Sequence, residues 1–267
     1  MLIDILKAFL VVGVVGLFLG VLLAIFSHFF RVAEDERTKK IRGELPGINC
    51  GACGFKGCDD YAAAISQGKA RSSLCIPGGD STAAVIASIL GIEAEDTKEM
   101  VAFVHCNGNC EATSKKAIYN GVQSCRAAVT AAGGPNTCRF GCMGFGDCAD
   151  VCPANAICIR DGIAHVDPTL CIGCGLCAKT CPKKIISLVP QIAKTAVMCN
   201  SEDKGADAKK ACSNACIACK KCEKSCPEGA ISVQNNLARI DYDKCTACGI
   251  CTNVCPTKCI KPVSFTA

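Results

Sequence analysis

Hydrophobic and polar positions divide the chain into an apolar start, a charged stretch and a long region of short alternating segments. Residues 8–30 carry no formal charge, and residues 8–26 contain only Ala, Phe, Leu, Val, Gly and Ile. This run predicts one helix able to span a bilayer, where roughly 20 apolar residues are needed. A cleaved signal peptide fits less well. Only Lys7 precedes the run, the run is long, and Ser27-His28-Phe29-Phe30 offers poor cleavage chemistry. Gly16, Gly20 and Ala24 share one helix face, a spacing that lets another helix approach closely. Arg31, Arg37, Lys39, Lys40 and Arg42 follow, so the positive-inside rule places the remainder in the cytoplasm. Residues 31–44 read as a juxtamembrane helix or linker.

Beyond residue 44 no long apolar run remains. Residues 59–66 predict a short helix with Tyr61, Ala64 and Ile65 on its inner side. Ala156-Ile157-Cys158-Ile159 and Ile163-Ala164-His165-Val166 alternate as the strands of a small hairpin do. Sliding the chain against itself exposes a gapless repeat at an offset of 74. Cys125, Cys138, Cys142, Cys148, Cys152, Cys171, Cys174, Cys177 and Cys181 map onto Cys199, Cys212, Cys216, Cys222, Cys226, Cys245, Cys248, Cys251 and Cys255. Two copies of one module therefore stand in tandem.

Composition turns this pattern into chemistry. The chain holds 27 cysteines, no Trp and 5% aromatic residues, too few for one large conventional core. In a reducing compartment so many cysteines point to metal rather than disulfides. The run C-x2-C-x2-C-x3-C-P is complete at Cys171-Cys174-Cys177-Cys181-Pro182, at Cys216-Cys219-Cys222-Cys226-Pro227 and at Cys245-Cys248-Cys251-Cys255-Pro256. Such runs hold [4Fe–4S] clusters, the fourth cysteine serving the other cluster of its pair. In the fourth run Phe145 stands where its repeat has Cys219, and Cys138 is taken as the substitute ligand. Crossing then gives four groups. They are Cys138, Cys142, Cys148 and Cys181; Cys152, Cys171, Cys174 and Cys177; Cys216, Cys219, Cys222 and Cys255; and Cys226, Cys245, Cys248 and Cys251. Upstream, Cys50, Cys53, Cys58 and Cys75 surround a glycine-rich loop that suits a cluster better than zinc, which also accepts four cysteines.

Seven cysteines remain. Cys158 and Cys259 are expected to be buried small side chains. Cys106, Cys125, Cys199 and Cys212 are weighed as a sixth metal site against simple packing at the module junctions. Cys110 stays unassigned, and His105 reads as structural. The formal charge of +5 counts every cysteine as neutral. Five clusters at about −2 each would bring it to roughly −5. Lys204, Lys209, Lys210, Lys220, Lys221 and Lys224 still gather near one run, where they either steer an acidic redox partner or merely offset cluster charge. Basic and aromatic residues are not interleaved as nucleic-acid binding requires. Gly78-Gly79 and Gly133-Gly134 lack the spacing of a dinucleotide fingerprint.

The apolar helix, Leu45-Pro46-Gly47 leading into Cys50-Gly-x-Cys53-Gly-x-x-Gly57-Cys58, and the ferredoxin pairs together resemble the B component of Rnf-type ion-translocating oxidoreductase complexes, their ferredoxin-like iron–sulfur subunit. The resemblance covers nearly the whole chain. It implies a [4Fe–4S] cluster on Cys50, Cys53, Cys58 and Cys75, a bacterial cytoplasmic-membrane location, partner subunits, and soluble ferredoxin as redox partner. It further implies electron relay between ferredoxin and subunits that couple ferredoxin/NAD chemistry to Na+ or H+ translocation. Hydride chemistry and ion passage would belong to those subunits. The expected architecture is α+β: a transmembrane anchor (1–30), a linker (31–44), a four-cysteine domain (45–92), a first ferredoxin-like module with an N-terminal extension (93–198) and a second module (199–267). Five clusters are expected, six if the extra site forms. A polyferredoxin-type carrier for another membrane reductase and a zinc-binding interaction protein are the competing readings.

Overall fold

A computed structural model describes residues 2–29, 35–93 and 99–265; side chains of the first helix are described at 3, 5, 7, 9, 10 and 12–26. That helix, α1 (Leu2–Phe29), follows from a segment rich in Leu and without a proline. The expected transmembrane anchor is not upheld: among the described residues no helix is long and apolar enough to cross a membrane. Among the described residues nothing approaches the faces of Gly16 and Gly20.

The four-cysteine region is helical. Its elements are α2 (Glu36–Glu44), α3 (Cys58–Ser66) and α4 (Gly79–Leu90). Asp35 caps α2, its side chain accepting from the Arg37 amide. Ile41, Leu45, Tyr61, Ala62, Ile65 and Ile86 form the core. Full burial of an isoleucine such as Ile41 contributes about 1.5–3 kcal/mol. Ala62 is buried beside Tyr61, while Ala64, expected on the inner side, is half-buried. The buried Tyr61 hydroxyl donates to Arg71 O (2.8 Å) and accepts from the Leu74 amide (3.1 Å). These bonds pin the segment that delivers Cys75 onto α3.

The first module comprises β1 (Met100–Val104), α5 (Cys125–Thr130), α6 (Asp147–Asp150), β2 (Ile157–Arg160), β3 (Ile163–Val166), α7 (Leu176–Thr180) and β4 (Ile186–Pro190). The second comprises β5 (Thr195–Val197), α8 (Gly205–Ala211), α9 (Lys221–Lys224), β6 (Ile231–Gln234), β7 (Leu237–Ile240), α10 (Ile250–Val254) and β8 (Ile260–Pro262). Four antiparallel two-stranded sheets result: β1 with β4, β2 with β3, β5 with β8 and β6 with β7. Isolated pairs of this size are marginal in water, so packing around the thiols must sustain them. Ile157, Ile163, Ile185 and Ile186 pack with Cys142, Cys148 and Cys177. Ile231, Leu237 and Ile260 pack with Cys216, Cys222 and Cys259.

The sequence repeat is a structural one. The hairpins correspond at the offset of 74, with Ile157 paired to Val166 and Ile231 to Ile240. The leading strands depart from it: Val104 ending β1 corresponds to Val197 ending β5, an offset of 93. An insertion of 19 residues in the first module separates the two registers. The modules meet over an apolar layer of Val101, Phe103, Val189, Ala196 and Phe265. His105 fastens them, one ring nitrogen donating to Val197 O (2.8 Å) and the other meeting Ser187 Oγ (2.6 Å). Burial pushes this imidazole below its ordinary pKa. The structural reading of His105 therefore holds.

Candidate metal centres

The N-terminal centre is built by a loop and the start of a helix. Gly51 has φ +66°, and a Cβ there would lie 3.0 Å from Phe55 O, so the loop needs glycine to close. Asn49 Oδ1 accepts from the Cys58 amide (2.8 Å), fixing the loop to the beginning of α3. Burial pushes the Cys75 thiol up, and neighbouring Cys58, Cys53 and Cys50 push it further. A buried thiol crowded by three others matches a cationic iron–sulfur core, which would relieve that repulsion.

This loop lies against the first module. Lys179 Nζ donates to Cys50 O (2.5 Å). Burial raises Cys174, and Cys50, Cys152 and Cys171 act on it from nearby. Cys177 is pushed up to about 11 by burial and by Cys171, Cys174 and Cys152. The structure thus brings together the crossed group of Cys152, Cys171, Cys174 and Cys177. Its backbone supplies donors, since the Ala156 amide reaches Cys152 Sγ (3.3 Å) and the Ala102 amide reaches Cys171 Sγ (3.4 Å). Hydrogen bonds to ligand sulfurs tune such centres.

The altered run requires a correction. The structure places Cys125, and not Cys138, beside Cys142, Cys148 and Cys181. These four line one cavity. Cys148 is pushed up to about 12 by burial, then by Cys142, Cys125 and Cys181. The Cys125 thiol is raised by burial and meets the backbone N–H groups of Phe145 and Gly146. It therefore occupies the place vacated at position 145. Asp147 holds the inserted segment there, Oδ1 accepting from the Cys125 amide (2.7 Å) and Oδ2 from the Arg126 amide (3.0 Å). Phe145 turns away onto Tyr119, ring centroids 5.5 Å apart. The pairing of Cys125 with Cys199 fails because the 74-residue register breaks upstream of Cys138. Phe145 is the signal in the sequence, but spacing alone does not say which spare cysteine folds back.

The second module needs no such repair. Cys216, Cys219, Cys222 and Cys255 line one cavity, and Cys226, Cys245, Cys248 and Cys251 line another. Cys222 is pushed up to about 11 by burial and by Cys216, Cys219 and Cys255. Burial likewise raises Cys251, beside Cys245, Cys248 and Cys226. Cys219 and Cys248 are solvent-exposed. Cys259 is buried as expected, its Sγ 3.6 Å from Cys255 Sγ. Side-chain hydrogen bonding with Cys259 holds Cys255 down to about 4 and Cys216 down to about 6. Cys158 departs from expectation. It faces solvent because alternation along β2 turns Ile157 inward and its neighbour outward. Cys110 is also exposed.

Among the described residues no three His, Cys, Asp or Glu side chains converge on one point as a single metal ion would require. The thiols instead line these cavities in groups of four, an all-thiol donor set on ferredoxin spacing that fits a polynuclear core better than zinc. Thiol rings on paired ferredoxin-like modules define the class of iron–sulfur proteins. Family models agree: an Fe-S cluster model matches residues 45–77, a 4Fe-4S binding domain 164–187 and a 4Fe-4S dicluster domain 215–259. The chain is 47% identical over 251 residues to the B component of the Na(+)-translocating ferredoxin:NAD(+) oxidoreductase complex of Acetobacterium woodii, covering 94% of this chain and 75% of that one. It is 40% identical to the B component of the proton-translocating ferredoxin:NAD(+) oxidoreductase complex of Clostridium ljungdahlii, covering 95% and 90%. Against the same component of the ion-translocating oxidoreductase complex of Methanosarcina acetivorans it is 38% identical, covering 92% and 94%. The chain belongs to this family of Rnf-type iron–sulfur subunits.

Proposed function

We propose that the chain is the electron-relay subunit of an ion-translocating ferredoxin:NAD oxidoreductase. Each [4Fe–4S] cluster, when bound, takes up and releases one electron at a time. Cysteine groups 50–53–58–75, 152–171–174–177, 125–142–148–181, 216–219–222–255 and 226–245–248–251 would hold five of them. A transfer moves one electron and no atom, oxidising the donor centre and reducing the acceptor. Entry from soluble ferredoxin falls at the second module, where Cys219 and Cys248 reach solvent beside exposed Lys220, Lys221 and Lys224. Exit falls at the Cys50 loop, toward the other subunits of the complex. The cytoplasmic membrane is the location that accompanies this reading, reached through those subunits.

The observation that carries the proposal is contiguity. Cys50 neighbours Cys174, and Cys177 neighbours Cys148, so the Cys50 loop and both thiol groups of the first module abut instead of standing as separate zinc knuckles. Anaerobic purification of the full chain tests it. The expected sample is brown, carries iron and sulfide in equal amounts, and shows paramagnetic signals when reduced by ferredoxin. Cys58→Ser should abolish onward transfer to the partner subunits while the remaining centres still reduce. A colourless zinc protein would end the proposal, and unchanged onward transfer in Cys58→Ser would overturn the assigned exit.

A further inference from the structure

The four-cysteine region meets the first module at both ends of its ligand set. At one end Lys179 Nζ donates to Cys50 O (2.5 Å), and a Cβ on Gly51 would lie 3.1 Å from the same ammonium. At the other end Ile76 directly follows Cys75, and a Cβ on Gly173 would lie 2.9 Å from Ile76 Cγ2. Gly173 and Lys179 bracket Cys174 and Cys177 of the neighbouring thiol group. Residues 173–179 thus carry two ligands of one group and both contacts to the other. Cys50 and Cys174 are close enough to act on each other electrostatically.

The repeat supplies an internal control. At the offset of 74, Gly173 corresponds to Ala247 and Lys179 to Asn253. The helices that carry Lys179 and Asn253 match. Each is capped by a glycine at positive φ, Gly175 or Gly249, and each ends at the last cysteine of its run, Cys181 or Cys255. Both side chains are exposed. Conformation does not demand glycine at 173, since Ala247 holds the same positive φ. Space does, because Met100 O and Ile76 occupy the place of a side chain. Nor does the helix demand lysine at 179, since its twin ends equally well with asparagine. The glycine and the lysine therefore belong to the copy that receives the Cys50 loop.

We infer that Lys179 is the positioning residue of the exit step, holding the Cys50 loop at tunnelling distance from the 152–171–174–177 centre and favouring the electron that arrives on the 50–53–58–75 centre. This inference rests on the relay reading. In the step one electron leaves the 152–177 centre, which is oxidised, and reduces the 50–75 centre; no proton and no atom moves. Tunnelling weakens exponentially with separation, so a loop that drifts outward slows the step. A thiolate-ligated [4Fe–4S] centre is already negative, about −2, before the electron arrives. A fixed ammonium beside the acceptor offsets that charge and raises its potential. Because Lys179 is exposed, solvent screens its field, and the hold on the loop is the larger of its two effects.

Freeze-quenched paramagnetic resonance on the anaerobically matured full chain, with reduced ferredoxin as donor, tests the role. The signal of the 50–75 centre is the one missing from Cys58→Ser. Lys179→Asn installs the residue of the twin helix, and Lys179→Met keeps the aliphatic stem without the charge. Both should retain wild-type iron and sulfide. In both, the 152–177 centre should still reduce, reduction of the 50–75 centre should slow at least tenfold, and its potential in an equilibrium titration should fall. Lys179→Arg keeps the charge and a donor for the same carbonyl, so it should return the rate to within about threefold of wild type. Asn253→Lys, the same charge on the twin helix, should leave rate and potential unchanged. Wild-type rate and potential in Lys179→Asn and Lys179→Met would overturn the inference, as would a defect that Lys179→Arg does not repair. Loss of cluster iron from both neutral variants would also overturn it, leaving a merely structural lysine. A wild type without iron and sulfide would instead sink the relay reading itself.

Discussion

The two ferredoxin-like modules share one backbone plan yet differ at the positions that touch the thiols. Backbone conformations repeat: Gly173 and Ala247 both have positive φ, as do Gly146 and Lys220. At Gly173 a Cβ would strike Met100 O at 2.4 Å, whereas its equivalent accommodates an alanine. The differences fall into three groups. Phe145 faces Cys219, with Cys125 supplied by an insertion. Gly146, Asp147 and Asp150 in the first module face Lys220, Lys221 and Lys224 in the second. Ile185 faces Cys259. The pattern teaches that duplication kept the cluster geometry while ligand source, surface charge and sulfur hydrogen bonding diverged.

The largest expected effect comes from ligand exchange. Cys125→Ser should remove one cluster from the first module, about four irons. Adding Phe145→Cys should restore it by installing the ligand that the second module uses, since Cys125 already meets the Phe145 amide. Iron analysis with reduction titrations checks this. If Phe145→Cys fails to rescue while Cys138→Ser removes the same cluster, the first-module assignment is wrong.

Next in size is the charge contrast. Reversing Lys220, Lys221 and Lys224 to Glu should slow reduction by an acidic ferredoxin about 10- to 100-fold at low ionic strength. The difference should shrink at high salt as the Debye length falls to about 3 Å at 1 M. Stopped-flow rates across salt concentrations measure it. Equal rates for the reversed and native chains would place docking elsewhere. These lysines are exposed, and their net effect on folding should be small.

Much of this is legible in the sequence because cluster spacing is local. Local spacing suggests five groups of four cysteines, and the folded chain brings the members of each group near one another with the exception of Cys138. The exception, Cys138, shows what local spacing omits. A loop of inserted residues returns Cys125 through Asp147, and only the folded chain reveals that contact. The same insertion hides the correspondence of Cys106 with Cys199. Residues 8–26 carry the clearest one-dimensional signal of all, yet the described residues contain no helix long and apolar enough to cross a membrane. Hairpins and α3 are readable from alternation and helical period; the half-buried Ala64 and the exposed Cys158 are set by which face meets a neighbour.

The smallest effect sharpens the comparison most finely. With Cys255 serving as a deprotonated cluster ligand, the Cys259 S–H is left to donate to it, a bond that stabilises the more negative, reduced form of the centre Cys255 serves. Ile185, its first-module equivalent, has no proton to give. Losing about 1 kcal/mol of differential hydrogen bonding corresponds to about 40 mV for one electron. Cys259→Ala should therefore lower the potential of the 216–255 centre by that order, and Ile185→Cys should raise that of the 125–181 centre. Potentiometric titration followed by paramagnetic resonance reads both. A shift of the wrong sign in either variant would show that sulfur hydrogen bonding does not separate the modules, leaving their charge contrast to set any downhill step between them.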